Sequence, residues 1–217
     1  MSITKKLLSA VFCIGLLAAG RVAAAGTDVD LRLKFGSAAG ADKFEVAGIP
    51  EVGSSQQDSG NFQVEVAVLP RTDSGIGFVG TLGIFGREHK GQVNIPFMPT
   101  DVKYDASGLS GSVGVSIPAA ERVHFEGRVE LALGQGKPTL STPGVVWNAT
   151  KEGDYTAASL IVGGYYTFSK PSFQLGLELG AQSFEGKFKI WNNVGAWSDG
   201  KVKGSGGTAN LVLGYRF

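Results

Sequence analysis

The chain has 217 residues, with 20 basic and 19 acidic side chains, and this balance gives no reason to propose a nucleic-acid partner. Cys13 is the only cysteine, and it lies in an N-terminal apolar segment, so a mature chain without that segment has no disulfide, thiol nucleophile or Cys-ligated metal. Glycine is abundant at 33 residues without a collagen-like period, which suits closely packed, bending strands.

The N-terminus reads as an export signal. Lys5 and Lys6 precede an apolar run over residues 7–20, and Ala23-Ala24-Ala25 supplies the small residues of a cleavage site. The run is interrupted too soon by Arg21 to form a spanning helix of roughly 20 residues. A lipoprotein reading would need Cys13 as the lipidated residue, but bulky Phe12 stands where a small residue is wanted. The expected division is residues 1–25 as signal peptide and 26–217 as one domain, in which loss of Lys5, Lys6 and Arg21 leaves 17 basic against 19 acidic residues.

After residue 26 no helical periodicity appears; the pattern repeats every second residue. Val29, Leu31, Leu33 and Phe35 alternate with Asp28, Asp30, Arg32 and Lys34. Phe62, Val64, Val66 and Val68 alternate with Asn61, Gln63, Glu65 and Ala67. Similar stretches run over 77–84, 109–117, 123–133, 158–168 and 173–182, the fifth setting Val123, Phe125, Val129, Leu131 and Leu133 against His124, Glu126, Arg128 and Glu130. Ala209, Leu211, Leu213, Tyr215 and Phe217 form the last apolar stripe, opposite Thr208, Asn210, Gly214 and Arg216, with Val212 as an apolar exception. These runs predict eight strands of an all-β, antiparallel up-and-down barrel.

The connections alternate in kind. Residues 70–75, 118–122 and 169–172 read as tight turns, and 37–60, 86–106, 135–155 and 185–205 as long loops. Short turns facing the periplasm and long loops facing outside are the asymmetry of outer-membrane barrels. Phe78, Phe125, Tyr166, Phe168, Phe173, Tyr215 and Phe217 mark the turn-side girdle, and Phe35 and Phe62 the other rim. A soluble ligand-binding barrel of lipocalin type would put the apolar face inside instead. The near absence of charge on that face favours lipid, because a midplane Arg or Lys costs roughly 2–4 kcal/mol.

With these features the chain resembles the small eight-stranded outer-membrane proteins of the OmpA-domain, OmpX and opacity-protein type, over residues 27–217. The resemblance implies a bacterial outer-membrane location and makes Leu211, Leu213, Tyr215 and Phe217 a C-terminal signal for the barrel-assembly machinery. Outer-membrane lipid and lipopolysaccharide are the expected surroundings.

The inward face carries the charged candidates Asp28, Asp30, Arg32, Glu65, Glu126, Arg128, Glu130, Glu178 and Arg216. An eight-stranded barrel is just wide enough for its own side chains, so a packed, paired lumen is expected rather than a pore. Arg32 and Arg128 should meet some of the glutamates, and Arg216 should meet Asp28 or Asp30. Lipid A chemistry, known on this scaffold, needs a His beside a Ser and an acidic residue. His124 reads as a lumen-mouth residue, and His89, beside Arg87, Glu88 and Lys90, as part of a solvated charge cluster. No enzyme activity, cofactor or metal site is expected. In the loops Phe97, Trp147, Trp191 and Trp197 are candidate contacts for an extracellular or host ligand, with residues 93–99 an apolar patch. Two roles remain: an envelope-structural or adhesin-like surface protein, or a narrow channel for small or hydrophobic molecules.

Overall fold

The computed structural model describes residues 27–47, 49–70, 75–94, 98–144, 150–169, 172–191 and 196–217. The expected signal peptide, Phe97 and Trp147 lie outside these residues. The elements are β1 (Thr27–Ser37), β2 (Lys43–Val46), β3 (Ile49–Gly53), β4 (Ser55–Pro70), β5 (Gly77–Asn94), β6 (Pro99–Ala120), β7 (Val123–Ser141), β8 (Thr150–Thr167), β9 (Phe173–Trp191) and β10 (Trp197–Arg216). All pairings are antiparallel, in the order β1-β4-β5-β6-β7-β8-β9-β10, and β1 pairs back to β10 to close an eight-membered ring. Over the section from Asp30 to Gly36 closure leaves no sheet edge, so the ladders there satisfy the backbone without water, as a structure in lipid must.

The alternation places the faces as the pattern requires. Leu33, Leu82, Val113, Leu131, Leu160, Leu177 and Leu211 are exposed on the outer surface, whereas Arg32, Glu65, Glu126, Arg128 and Glu178 are buried inside. Rings flank the outer band. Tyr215 packs edge-on against Phe173 at 5.8 Å and against Phe217 at 5.1 Å, Tyr166 meets Phe168 at 4.8 Å, and Phe35 lies 5.2 Å from Phe62 at the opposite rim. Phe78 is the most exposed of these, at 77%. A surface so apolar around its circumference is stable against hydrocarbon and not against water.

The expected long loops are largely strand. β5 continues to Asn94, β6 starts at Pro99, β7 reaches Ser141, and β9 and β10 extend to Trp191 and Trp197. The barrel wall therefore rises well above the rim marked by Phe35 and Phe62. The reason these segments read as loops is that their alternation inverts. Above the rim the outward positions are polar, as in Glu88, Lys90, Lys103, Asp105, Lys137, Lys187 and Lys189. The inward positions there are Phe85, Val93, Val102, Tyr104, Tyr155, Phe184, Phe188, Ile190 and Val202, all buried in one apolar cluster. Inside lipid the sheet is apolar outside and charged inside, and in water it is the reverse.

The expected first loop holds two further strands. β2 pairs with β10 and β3 with β2, while β3 runs on through Ser54 into β4. β2 thus takes β1's place in the upper ring. Lys43 pairs with Glu51 at 2.9 Å across this hairpin, and the ammonium holds the Glu51 carboxyl below its ordinary range.

The outer band makes a position-dependent prediction. Leu177→Arg, near the centre of the band, should cost roughly 2–4 kcal/mol in urea unfolding from lipid vesicles. Lys187→Leu, outward on the same strand but above the rim, should change stability by less than about 1 kcal/mol. Equal effects at the two positions would contradict the membrane boundary drawn here.

Candidate functional site

The ionisable candidates line the lumen, and the strand register decides which of them meet. Near the turn end Arg216 donates through Nε to Asp30 at 2.7 Å and lies 3.3 Å from Asp28. Gln174 donates to Asp30 at 3.1 Å. β1 and β10 are ladder neighbours with Asp30 opposite Arg216, so this contact follows from closure.

At the middle of the band, Arg32 crosses the lumen. It donates to Asp30 at 2.9 Å and, in a fork, to both Glu126 oxygens at 2.9 and 2.7 Å. β1 and β7 stand four strands apart in the ring of eight, so this pair spans its diameter. Arg128 donates to Glu65 at 3.1 Å, to Tyr165 at 3.2 Å and to Glu178. His124 bonds Glu126 at 3.1 Å and stacks on the Tyr165 ring at 4.9 Å. The Arg32 guanidinium also lies over that ring, 4.4 Å from its centroid. Forked, charge-assisted bonds such as these are the geometry in which buried charges survive.

Higher up, Gln63 donates to Glu65, Ser110 and Glu130 at 3.0–3.1 Å, and Arg87 donates to Glu130 at 2.5 Å and Asn61 at 3.3 Å. All nine expected lumen charges enter the network. Three further ionisable members join it. Lys34 sits 2.8 Å from Glu65 and 3.0 Å from Glu178, Arg87 pairs with Glu130, and Tyr165 donates to Glu178 at 2.5 Å. Lys34 was legible, because it shares the polar face of β1 with Arg32. Arg87 was hidden by the loop assignment of 86–106. Free space among Lys34, Arg87, Glu130 and Glu178 amounts to about 10 Å³, no more than one water.

Immediately above, the chain leaves the wall between Ala38, whose amide still donates to the Ser59 carbonyl of β4 at 3.1 Å, and Asp42, whose amide donates to the Lys203 carbonyl of β10 at 2.9 Å. Ala38, Ala39, Gly40 and Ala41 are all buried. The Ala39 amide donates to Gln182 on β9 at 3.2 Å, and its carbonyl accepts from His89 Nδ1 on β5 at 2.6 Å. β5 and β9 are again four strands apart, so a short strap crosses the barrel from wall to wall. The reading of His89 as solvated is therefore corrected: its side chain is 0% exposed, bonded also to the Tyr155 hydroxyl at 2.9 Å and stacked on Phe184 at 3.6 Å. Inverted alternation is the cause, since His89 shares the inward, apolar side of β5 with Phe85 and Val93. Val93 is likewise buried rather than part of an exposed patch, while Met98 is 48% exposed.

The described hydrogen bonds of both histidines go to Glu126, Ala39 and Tyr155, not to a serine. Among the described residues no cluster of His, Cys, Asp and Glu could hold a metal ion. Trp191 and Trp197 pack edge-on across the β9–β10 hairpin at 5.2 Å, and the Lys151 ammonium sits 4.1 Å over the Trp197 ring. Trp191 keeps 38% of its surface exposed.

No family model and no curated protein matches the sequence. Solved structures do match the fold. The outer membrane protein OprG from Pseudomonas aeruginosa superposes with a TM-score of 0.54 at 11% identity, over 89% of this chain and 96% of that one. A major outer membrane protein from Thermus thermophilus superposes with a TM-score of 0.54 at 12% identity, over 88% and 99%. The fold is that of the small eight-stranded outer-membrane β-barrels.

The network's coupling is measurable. Arg128→Met leaves Glu65 and Glu178 short of a partner and should cost about 3–5 kcal/mol in equilibrium unfolding. Combining it with Glu178→Leu should recover part of that loss, because the second change removes the stranded carboxylate. Strictly additive losses would show that the two groups are not coupled.

Proposed function

We propose that the chain is a non-catalytic bacterial outer-membrane protein whose lumen is closed and whose tall upper barrel is its working surface. The observation that carries this is the filling of the interior at three successive levels. Ion pairs occupy the lipid-embedded section, the 38–41 strap crosses above them, and the apolar cluster fills the upper section. Ion transfer would need a continuous wet path, and each level replaces water with side chains. The turn end then faces the periplasm and the upper barrel the exterior.

Such a protein serves the envelope structurally or as an adhesin-like surface. Its partners are outer-membrane lipid and lipopolysaccharide along the band, the barrel-assembly machinery through Leu211, Leu213, Tyr215 and Phe217, and an extracellular ligand at the upper end. Trp191 and Trp197 at the β9–β10 tip are the described candidates for that contact, with Phe97 and Trp147 as further candidates.

A second reading, a narrow route for small apolar molecules, has one observation in its favour. The upper interior is lined by Phe44, Phe85, Tyr104, Tyr155, Phe184 and Phe188. Apolar solutes would be received there rather than ions.

Two measurements separate the readings. Refolded protein in planar bilayers should give no conductance steps at neutral pH, and liposomes carrying it should take up an apolar fluorescent probe no faster than empty liposomes. Regular conductance steps would overturn the closed lumen, and accelerated apolar uptake alone would favour the second reading. For the surface role, Trp191→Ala should weaken binding of whole cells to a host-cell or matrix surface at least threefold with the barrel still heat-modifiable on gels.

A further inference from the structure

The ladders on either side of the strap share one register. β1 pairs with β10 from Asp30 opposite Arg216 to Gly36 opposite Asn210, and β2 pairs with it from Lys43 opposite Lys203 to Val46 opposite Gly200. The pair numbers sum to the same value on both ladders, so no residue is inserted or lost between them. Residues 37–42 thus stand opposite 209–204 with the length needed to continue as an ordinary strand, which would place Ala39 opposite Gly207. The two ends of this stretch stay on the wall, the Ala38 amide donating to the Ser59 carbonyl of β4 at 3.1 Å and the Asp42 amide to the Lys203 carbonyl of β10 at 2.9 Å, but residues 39–41 do not pair with β10. Ala41 instead donates to the Lys90 carbonyl of β5 at 2.8 Å.

The vacated stretch of wall is bridged by side chains. The Ala209 amide donates to Ser37 Oγ at 2.9 Å, the Ser205 amide donates to Asp42 at 3.2 Å, and Gln56 donates to the Ser205 carbonyl at 2.6 Å. The neighbouring strand β4 carries a bulge between Gln57 and Gly60, and Gln56 and Gln57 beside it close against Gly40, leaving no room there for a side chain. The inward path also demands small residues. A methyl group at Gly204 would collide with the Gly40 carbonyl, and one at Gly91 with the Ala41 carbonyl.

We propose that residues 39–41, held at either end by Ala38 and Asp42, form a shutter with two seats: the inward seat, held by His89 and Gln182, closes the lumen, and the outward seat, opposite 205–207 of β10, completes the wall and opens the space beneath the upper apolar cluster. Both seats satisfy the same backbone groups. The inward one uses His89, Gln182 and Lys90, and the outward one uses the in-register amides and carbonyls of β10 in place of the Ser37, Asp42 and Gln56 side chains that bond them in the inward seat. A segment with two self-consistent hydrogen-bond sets is a bistable element rather than a flexible one. The alternation makes the seats distinguishable. Phe35 points out and Phe44 in, so odd positions face outward in the shared register, and Ala39 moves from full burial to the outer surface.

The test uses the full barrel refolded in vesicles, with Ala39→Cys as the reporter and a water-soluble maleimide as the probe. With the mature chain otherwise free of cysteine, labelling reads position 39 alone. Slow labelling of Ala39→Cys, accelerated at least tenfold by His89→Leu or by Gln182→Leu, is the expected result. Under mild oxidant, the pair Ala39→Cys and Gly207→Cys should form a disulfide, faster in the presence of either releasing change. The locked-out barrel should then take up a small solute faster than its reduced form. Heat-modifiability confirms that each variant has folded. A folded barrel in which the introduced thiol stays protected in both releasing variants, and in which the 39–207 bond never forms, would overturn the proposal. So would a locked-out barrel whose uptake equals that of the reduced form.

Discussion

Closure of eight strands into a ring is the constraint on which the remaining structure depends. It removes the sheet edge, so the strands can cross hydrocarbon without leaving amide or carbonyl groups unpaired. It also fixes the interior at a width that its own side chains fill. Arg32 on β1 and Glu126 on β7 stand a full diameter apart and still bond in a fork. In a wider barrel these charges would line water; here they substitute for it.

A wall that continues out of the lipid must satisfy two solvents with one backbone. The chain does so by exchanging the faces of its alternation at the level of Phe35 and Phe62. Below it, Leu177 faces lipid and Glu178 the lumen; above it on the same strand, Lys187 faces water and Phe188 the apolar interior. The strand does not break at the change, because period two persists while only the chemistry of the two faces is swapped. Each section is therefore stable for a different reason: paired charge inside a greasy shell, and a hydrophobic core inside a charged shell.

The 38–41 strap lies where these interiors meet. It separates Gln63, Arg87 and Glu130 below from Tyr104, Tyr155 and Phe184 above, and its own bonds draw on both kinds of neighbour, Gln182 from the polar side and His89 from the aromatic side. Small residues are the reason it fits. Ala38, Ala39, Gly40 and Ala41 bring backbone polarity into the lumen with almost no side-chain volume.

The sequence by itself determined the ring, its outward band and the partners of Arg216, since all of these follow from period-two alternation and from β1 and β10 being neighbours on closure. It also determined that Arg32 and Arg128 would be paired, because a buried guanidinium must be. It did not determine the height of the wall: once Phe85, His89 and Val93 exchanged places with the polar residues, the stripe that marked a strand vanished and the stretch read as loop. Nor did it disclose the strap. Ala-Ala-Gly-Ala carries no pattern of its own, and its path through the lumen is set by His89 and Gln182, which come from strands fifty and more residues away. Local alternation specifies which face a residue belongs to; only the assembled ring specifies what that face encloses.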